Sequence, residues 1–249
     1  MSAIDPPGAG EDGRPLVDPM RYARIAGGLY LVIILVGIVG PLLTRELLVV
    51  PHDAIATAHN IAASPGLWRL GIGLDVVAQL CDVPVMLILF VLLSPVHRNV
   101  ARLALLFNVV QTSTLVANQL TLVAAQLLSP DQPVLADVAL RAYALGEPLG
   151  LVFFGFTCLL EGYLIRHSGY LPWRLGLLMQ IAGGAYVANS FLLLLAPDLA
   201  SILILIPTVV AELSLATWLF VRGVDVQRWL RAGNPRAAQG PPRILPTNG

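Results

Sequence analysis

The sequence contains no lysine, and all 15 of its basic residues are arginines. Charged residues make up only 12% of the chain, whereas soluble globular domains carry roughly 25%. The mean hydropathy is +0.78. A chain with so few charges cannot cover a water-soluble globule with polar surface, so the composition indicates an integral membrane protein. The formal net charge is zero, and we therefore expect no nucleic-acid partner.

Several kinds of chemistry are disfavoured by what is missing. The absence of lysine excludes a Ser–Lys nucleophile pair, and there is no Gly-x-Ser-x-Gly motif. No Gly-x-x-x-x-Gly-Lys-Ser/Thr loop is present to bind nucleotide phosphates. The two cysteines, Cys81 and Cys158, lie in apolar stretches and fit packing residues, not a disulfide framework. No catalytic residue is assigned from these patterns.

The four histidines give little indication of a metal or haem site. His97 and His167 fall in predicted turns, too far from the middle of the membrane to hold a haem between two spans. His52 and His59, with Asp53, come nearest to a metal-binding set, but their spacing of seven residues is not a tight ligand motif. We therefore expect no metal and no cofactor.

Six apolar segments are long enough to cross the hydrocarbon core, which needs about 20 helical residues. They cover about 22–43, 66–93, 100–128, 138–165, 173–195 and 199–221. Asp53 can cap a short helix between the first two spans. The predicted fold is an all-α polytopic membrane protein, a bundle of six transmembrane helices with that short helix on the outer side. Residues 21–222 form the membrane domain, and 1–20 and 223–249 are expected to be disordered cytoplasmic tails.

The arginines are distributed unevenly between the two predicted membrane faces. Twelve lie on the face that carries both tails and the connections after the second and fourth spans, against Arg45, Arg69 and Arg141 on the other face. The positive-inside rule therefore predicts that both termini are cytoplasmic. We expect a multi-pass protein of a bacterial plasma membrane.

Polar residues recur inside these apolar spans. Asp75, Gln79 and Asp82 follow steps of four and three, so they share one face of the second span. Glu212 of the sixth span is expected at a similar depth. The third span carries a polar stripe that includes Asn108, Gln111, Asn118 and Gln119. Because an ionisable group in a membrane span is costly, these side chains are predicted to face a protein interior.

Three functional hypotheses remain open from these residues. The leading one is a carboxylate- and amide-lined interior that binds or translocates a small solute or a proton. The second is a membrane-embedded enzyme that acts on a lipid-like substrate through Asp75, Asp82 or Glu212. The third is a structural or partner-binding protein, in which the polar groups only hold the helices in register. The expected partners are the lipid bilayer and a small molecule or ion, and the oligomeric state is left open.

Two further sets of charges are expected near the membrane faces. Arg69, Arg141 and Glu147 are predicted to form a charged cluster on the outer side, either as ion pairs or as an anion-binding mouth. Glu161 is expected to pair or to extend to the surface near the cytoplasmic face.

Five short stretches along the chain are distinctive as a set. They are Ala-Ile-Ala-Thr-Ala at 54–58, Trp-Arg-Leu-Gly-Ile-Gly-Leu-Asp at 68–75, Ser-Gly-Tyr-Leu-Pro at 168–172, Ala-Glu-Leu-Ser at 211–214 and Trp-Leu-Phe-Val-Arg-Gly at 218–223. Together they resemble a family of bacterial six-span membrane proteins, DUF4386. The resemblance extends over about 22–223. It implies the six-span fold and its topology, and it implies no chemistry.

Overall fold

The computed structural model describes residues 18–233, and the remainder of both predicted tails lies outside them. Six long helices make up most of this part. They are α1 (Pro19–Leu43), α4 (Pro65–Leu93), α5 (Arg98–Leu128), α6 (Pro133–Ser168), α7 (Trp173–Leu195) and α8 (Ile206–Val221). Three short helices are α2 (Arg45–Leu48), α3 (Ala54–Ala63) and α9 (Val226–Gly233).

The described residues contain no strand, and six segments are long and apolar enough to cross a membrane. The predicted all-α six-span fold is therefore confirmed. The short helix between the first two spans is α3, and Asp53 caps it by accepting a hydrogen bond from the Ala56 amide at 2.8 Å. At the end of α6, Gly169 takes a left-handed conformation with φ of 71°. Glycine adopts this conformation without a steric penalty, so the helix ends there.

Two span boundaries differ from the sequence prediction. The α-helix of the sixth span, α8, begins at Ile206 and not near 199, because Pro197–Leu199 and Ile202–Leu205 form 3₁₀ turns before it. α6 runs unbroken for 36 residues through Pro148, which gives about 54 Å at 1.5 Å per residue. Its first turns thus extend beyond a membrane core of about 30 Å, and α3 packs against it.

The expected disorder of 223–249 is wrong for the part that the structure describes. Residues Val226–Gly233 form α9, and Trp229 is only 4% exposed. The Trp229 indole nitrogen donates to the Leu92 carbonyl oxygen at 2.9 Å. This buried aromatic contact holds the segment against the end of α4, which a composition argument based on arginine and proline does not detect.

The six long helices form a closed ring in chain order. Each packs against its successor, and α8 returns to pack against α1. Glycines allow the closest approaches: a Cβ added at Gly162 would lie 2.6 Å from the Gly176 carbonyl oxygen across the α6–α7 interface. We call the two ends of this ring the α3 end and the α9 end. An apolar core fills the α9 half, whereas the α3 half contains a cavity.

Candidate functional site

The cavity has a volume of about 290 Å³, and side chains from all six long helices contribute to its wall. Polar groups form much of that wall. They are Tyr30, Arg45, Asp75, Gln79, Asp82, Gln111, Asn118, Gln119, Tyr143, Glu147, Tyr186 and Glu212. Of the six interior residues predicted from the sequence, five lie here: Asp75, Gln79, Asp82, Gln111 and Glu212. The sixth, Asn108, is buried directly behind the wall.

Asp75 is paired with Arg45, the first residue of α2. The Arg45 guanidinium contacts both carboxylate oxygens of Asp75, and both side chains are largely buried, with 15% and 13% of their surface exposed. The guanidinium carbon also lies 5.3 Å from the centroid of the Tyr143 ring. In the sequence, the position of Arg45 indicates only topology. Its position just after the first span, facing the start of the Asp75 helix, is the signal that could have identified this partner.

Asp82 is held by the third span. The Thr112 hydroxyl donates to Asp82 Oδ2 at 2.5 Å, and Asn108 Oδ1 lies 3.1 Å from the same hydroxyl oxygen. Thr112 and Asn108 are one helical turn apart, so the polar stripe of α5 meets the polar stripe of α4 at this point. No salt bridge neutralises Asp82 among the described residues.

Glu212 lies among aromatic residues on the opposite wall. The Tyr186 hydroxyl of α7 donates to Glu212 Oε1, and the Tyr30 hydroxyl of α1 lies within hydrogen-bonding reach of the same carboxylate. Phe154 packs edge-on against the Tyr186 ring, with centroids 5.2 Å apart. The sequence pattern predicts Glu212 but not these phenols, because isolated tyrosines in apolar spans resemble ordinary packing residues.

Two amide oxygens in the cavity wall have no hydrogen-bond partner among the described atoms. They are Gln79 Oε1 and Gln119 Oε1, and both atoms are buried within the protein. Gln119 is only 8% exposed. An unsatisfied acceptor of this kind costs about 1–3 kcal/mol. These two oxygens therefore lack a donor among the described residues, and the side chains that carry them line the cavity.

The predicted outer-side charged cluster is distributed over three environments. Arg69 is exposed on α4 and makes no salt bridge to a described residue. Arg141 pairs on the surface with Asp137 of the preceding turn, at 2.7 Å. Glu147, by contrast, contributes its side chain to the cavity wall. It therefore belongs with the interior residues and not with a mouth formed by Arg69 and Arg141.

Glu161 also differs from the prediction. It does not extend to the surface or form a salt bridge with a described residue, and it is only 7% exposed. Apolar residues of α4, α5 and α6 surround it, including Met86, Leu105 and Leu164. The tight packing of α6 against its neighbours leaves this side chain inside the bundle, which its position near the helix end did not indicate.

The charges of the cavity are unbalanced. Its wall carries four carboxyl groups, Asp75, Asp82, Glu147 and Glu212, and Arg45 is the basic residue among them. No three histidine, cysteine, aspartate or glutamate residues of the described part are grouped so that they could hold a metal ion. The site is thus a largely acidic, partly aromatic cavity inside a helical bundle.

This fold and this site define a class: polytopic helical membrane proteins with a polar cavity between their spans. Within that class the chain belongs to the family described as Domain of unknown function (DUF4386), which it matches over residues 25–223. The predicted family is therefore confirmed. The chain is also similar to an uncharacterized protein of Archaeoglobus fulgidus, with 31% identity over 142 residues, or 57% of this chain and 76% of the relative. No solved structure matches.

Proposed function

We propose that this protein binds a small organic cation that donates hydrogen bonds, such as a protonated amine, in the cavity between its spans. The observation that carries the proposal is the pair of buried amide oxygens, Gln79 Oε1 and Gln119 Oε1, which lack a donor among the described residues and belong to side chains that line the cavity. A protonated amine supplies both the N–H groups that these oxygens need and a positive charge.

The charge balance supports the same class of ligand. Arg45 compensates Asp75, whereas Asp82, Glu147 and Glu212 have no salt-bridge partner among the described residues. Buried charges are stable when they are paired and hydrogen-bonded. A cationic ligand therefore gains attraction from the uncompensated carboxyl groups, and an anionic one is repelled by them.

The aromatic residues near Glu212 suit an organic cation. Tyr30, Phe154 and Tyr186 present aromatic surface to the cavity, and an ammonium group over such a ring gains about 0.5–2 kcal/mol. The volume of about 290 Å³ lies at the small end of ligand sites, which span roughly 300–1,000 Å³. A small amine fits better than a lipid or a large drug-like molecule.

The other hypotheses receive less support. A purely structural role predicts that the polar groups satisfy one another and leave no space, which does not fit the cavity or the unpaired amides. A lipid-modifying enzyme predicts two titratable groups directed at one reacting site, and no contact among the described residues favours that arrangement over binding.

We also propose the orientation and the membrane. The twelve arginines at the α9 end, or in the tails that continue from it, support a cytoplasmic location of this end by the positive-inside rule. The cavity would then be nearer the outer face of a bacterial plasma membrane. Translocation of the bound cation is the further step that this placement suggests.

The proposal is tested by calorimetry on protein in lipid nanodiscs, with n-propylammonium and tetramethylammonium as cations and n-propanol as a neutral analogue. We expect saturable binding of n-propylammonium, which both is cationic and donates N–H groups, and no binding of n-propanol. Tetramethylammonium separates the two requirements because it has charge but no N–H donor. Equal binding of the alcohol, or no binding of either cation, would contradict the proposal.

Gln119→Leu provides the matched variant. It removes one unpaired acceptor without changing the charge, so n-propylammonium affinity should fall about tenfold, as for the loss of one hydrogen bond to a charged group. Thermal stability should be unchanged or slightly higher, because the leucine has no polar atom to satisfy. Gln126→Leu on the same helix, outside the cavity wall, is the control and should bind as the wild type does.

A further inference from the structure

Glu161 is a buried carboxyl group that the cation site does not use. It lies beside a separate void of about 10 Å³ and does not contribute to the cavity wall. The lining of the void is otherwise apolar, with Met86 and Leu89 from α4, Ala104 and Leu105 from α5, and Leu164 from α6. A carboxyl group is costly in such surroundings, and ionisable residues inside membrane proteins mark ion or proton pathways more often than packing positions.

The void lies about one helical turn from Asp82, toward the α9 end. On α4, one helical turn leads from Asp82 to Met86, which lines the void. On α5, one turn leads from Asn108, which lies beside the Asp82–Thr112 contact, to Ala104, which also lines the void. Both steps have the same direction and a rise of about 6 Å. Glu161 therefore lies about one turn below the deepest acid on this side of the cavity.

The void beside Glu161, about 10 Å³, is close to the volume that one water molecule requires. Beyond it, Ala101 lines the void, and Arg98 lies one turn further along α5 at the start of that helix. Arg98 Nε is buried and has no hydrogen-bond partner among the described residues. Arg98 Nε is thus a polar atom one turn beyond the void, at the α9 end.

We propose that Glu161 carries a proton between the cavity and the α9 end of the bundle. This inference rests on the proposed function, because it couples cation occupancy of the cavity to proton movement. In the step, the Glu161 O–H bond breaks and its proton passes, through one water, to a carboxylate oxygen of Asp82, where a new O–H bond forms. A hydronium ion at the α9 end then transfers a proton to the Glu161 carboxylate and becomes water, and Asp82 releases its proton to water in the cavity, so that each O–H bond broken is matched by one formed and the charge is conserved.

Other titratable groups lie within electrostatic range of Glu161. They are Asp82 on α4, Glu212 on α8, Tyr30 on α1 and Cys158 on its own helix. From α5, the residues that contact the void are Ala101, Ala104 and Leu105, which carry no charge. Asp82 is thus the acid within one helical turn of the void, which makes it the proton acceptor in the step.

The test is proton flux into liposomes that contain the full-length protein and an internal pH-sensitive dye, driven by a potassium diffusion potential. We expect wild-type flux above that of protein-free liposomes and a loss of about tenfold or more in Glu161→Gln, which keeps the shape and removes the exchangeable proton. Glu46→Gln, on the exposed surface of α2, is the control and should conduct as the wild type does. Wild-type flux equal to that of empty liposomes, or undiminished flux in Glu161→Gln, overturns the proposal.

Two further measurements separate this proposal from the cation site. Glu161→Gln should still bind n-propylammonium in nanodiscs. Failure of the wild type to bind it contradicts the proposed function. If Glu161→Gln binds it and conducts protons as the wild type does, only the proton pathway is contradicted. If Glu161→Gln does not fold, a hydrophobic carbodiimide, which attacks protonated carboxyl groups, is applied to the wild type. Mass spectrometry should then find the adduct on Glu161, and an unmodified Glu161 beside other labelled acids overturns the proposal.

Discussion

The α3 half and the α9 half of the bundle are built from the same six long helices but have opposite interiors. In the α3 half, α4 presents Asp75, Gln79 and Asp82 to a cavity. One turn further along the same helix, Val85 and the residues that follow it enter a close-packed apolar core. Polar, incompletely satisfied groups are therefore tolerated in one half because dense packing in the other half stabilises the ring.

Additional contacts at the α9 end strengthen this difference. The Tyr170 hydroxyl and the Trp229 indole nitrogen both donate to the Leu92 carbonyl oxygen, at 2.6 and 2.9 Å. The Asp225 amide donates to the Tyr170 carbonyl oxygen at 3.2 Å. Burial raises the pKa of the Tyr170 hydroxyl, which keeps it protonated and able to donate. The α4 end, the α6–α7 turn and α9 are therefore connected to one another.

The greatest change in the free energy of unfolding is expected when a leucine is replaced by alanine, and the two halves should respond differently. Leu219 is fully buried in the apolar core, whereas Leu151 lines the cavity. Leu219→Ala should lower the free energy of unfolding by about 2–3 kcal/mol, because it leaves a new void among packed side chains. Leu151→Ala should cost less than about 1 kcal/mol, because it only enlarges existing space. Unfolding by SDS in mixed micelles measures both, and equal losses would remove the distinction between the halves.

A smaller effect is expected at the α6–α7 interface, which joins the two halves. A Cβ added at Gly183 would lie 2.9 Å or less from backbone and side-chain atoms of α6, including the Gly155 carbonyl oxygen, whereas one added at Gly184 meets nothing within 4 Å. Gly183→Ala should therefore destabilise the protein by about 1–3 kcal/mol. Gly184→Ala should be neutral or stabilising by up to about 1 kcal/mol, because alanine is the better helix former. The same unfolding assay compares them, and a harmless Gly183→Ala would contradict the close approach of the two helices.

The smallest expected effect concerns the Arg45–Asp75 pair at the α3 end. Each of Arg45→Gln and Asp75→Asn leaves one partly buried charge without its partner, and we expect each to lower stability by about 1–2 kcal/mol. The double variant should recover part of this loss, with a coupling energy of about 1 kcal/mol from the double-mutant cycle. Strict additivity of the two single effects would show that the pair is not coupled in the membrane.

Much of the fold follows from local patterns. The six spans are apparent from runs of apolar residues, and Asp53 predicts the start of α3 because a capping side chain acts within its own turn. The common face of Asp75, Gln79 and Asp82 follows from the helical repeat alone. Predictions that depend on a neighbouring helix did less well: Glu161 is buried and Glu147 lines the cavity. Both lie on α6. The residue spacing does not define how this helix is rotated about its own axis.

Local sequence patterns are sufficient to identify this chain as a six-span helical membrane protein of its family, with acids and amides inside its spans. Three features depend on how the helices pack: which of these side chains share a cavity, the compensation of Asp75 by Arg45, and the contact of Trp229 that holds α9 against α4. The cause is the distance along the chain over which each interaction acts. Hydrophobicity, helical periodicity and capping act within a few residues, whereas the partner of a buried polar group is chosen by packing between helices, which brings together residues 26 to 137 positions apart in the chain.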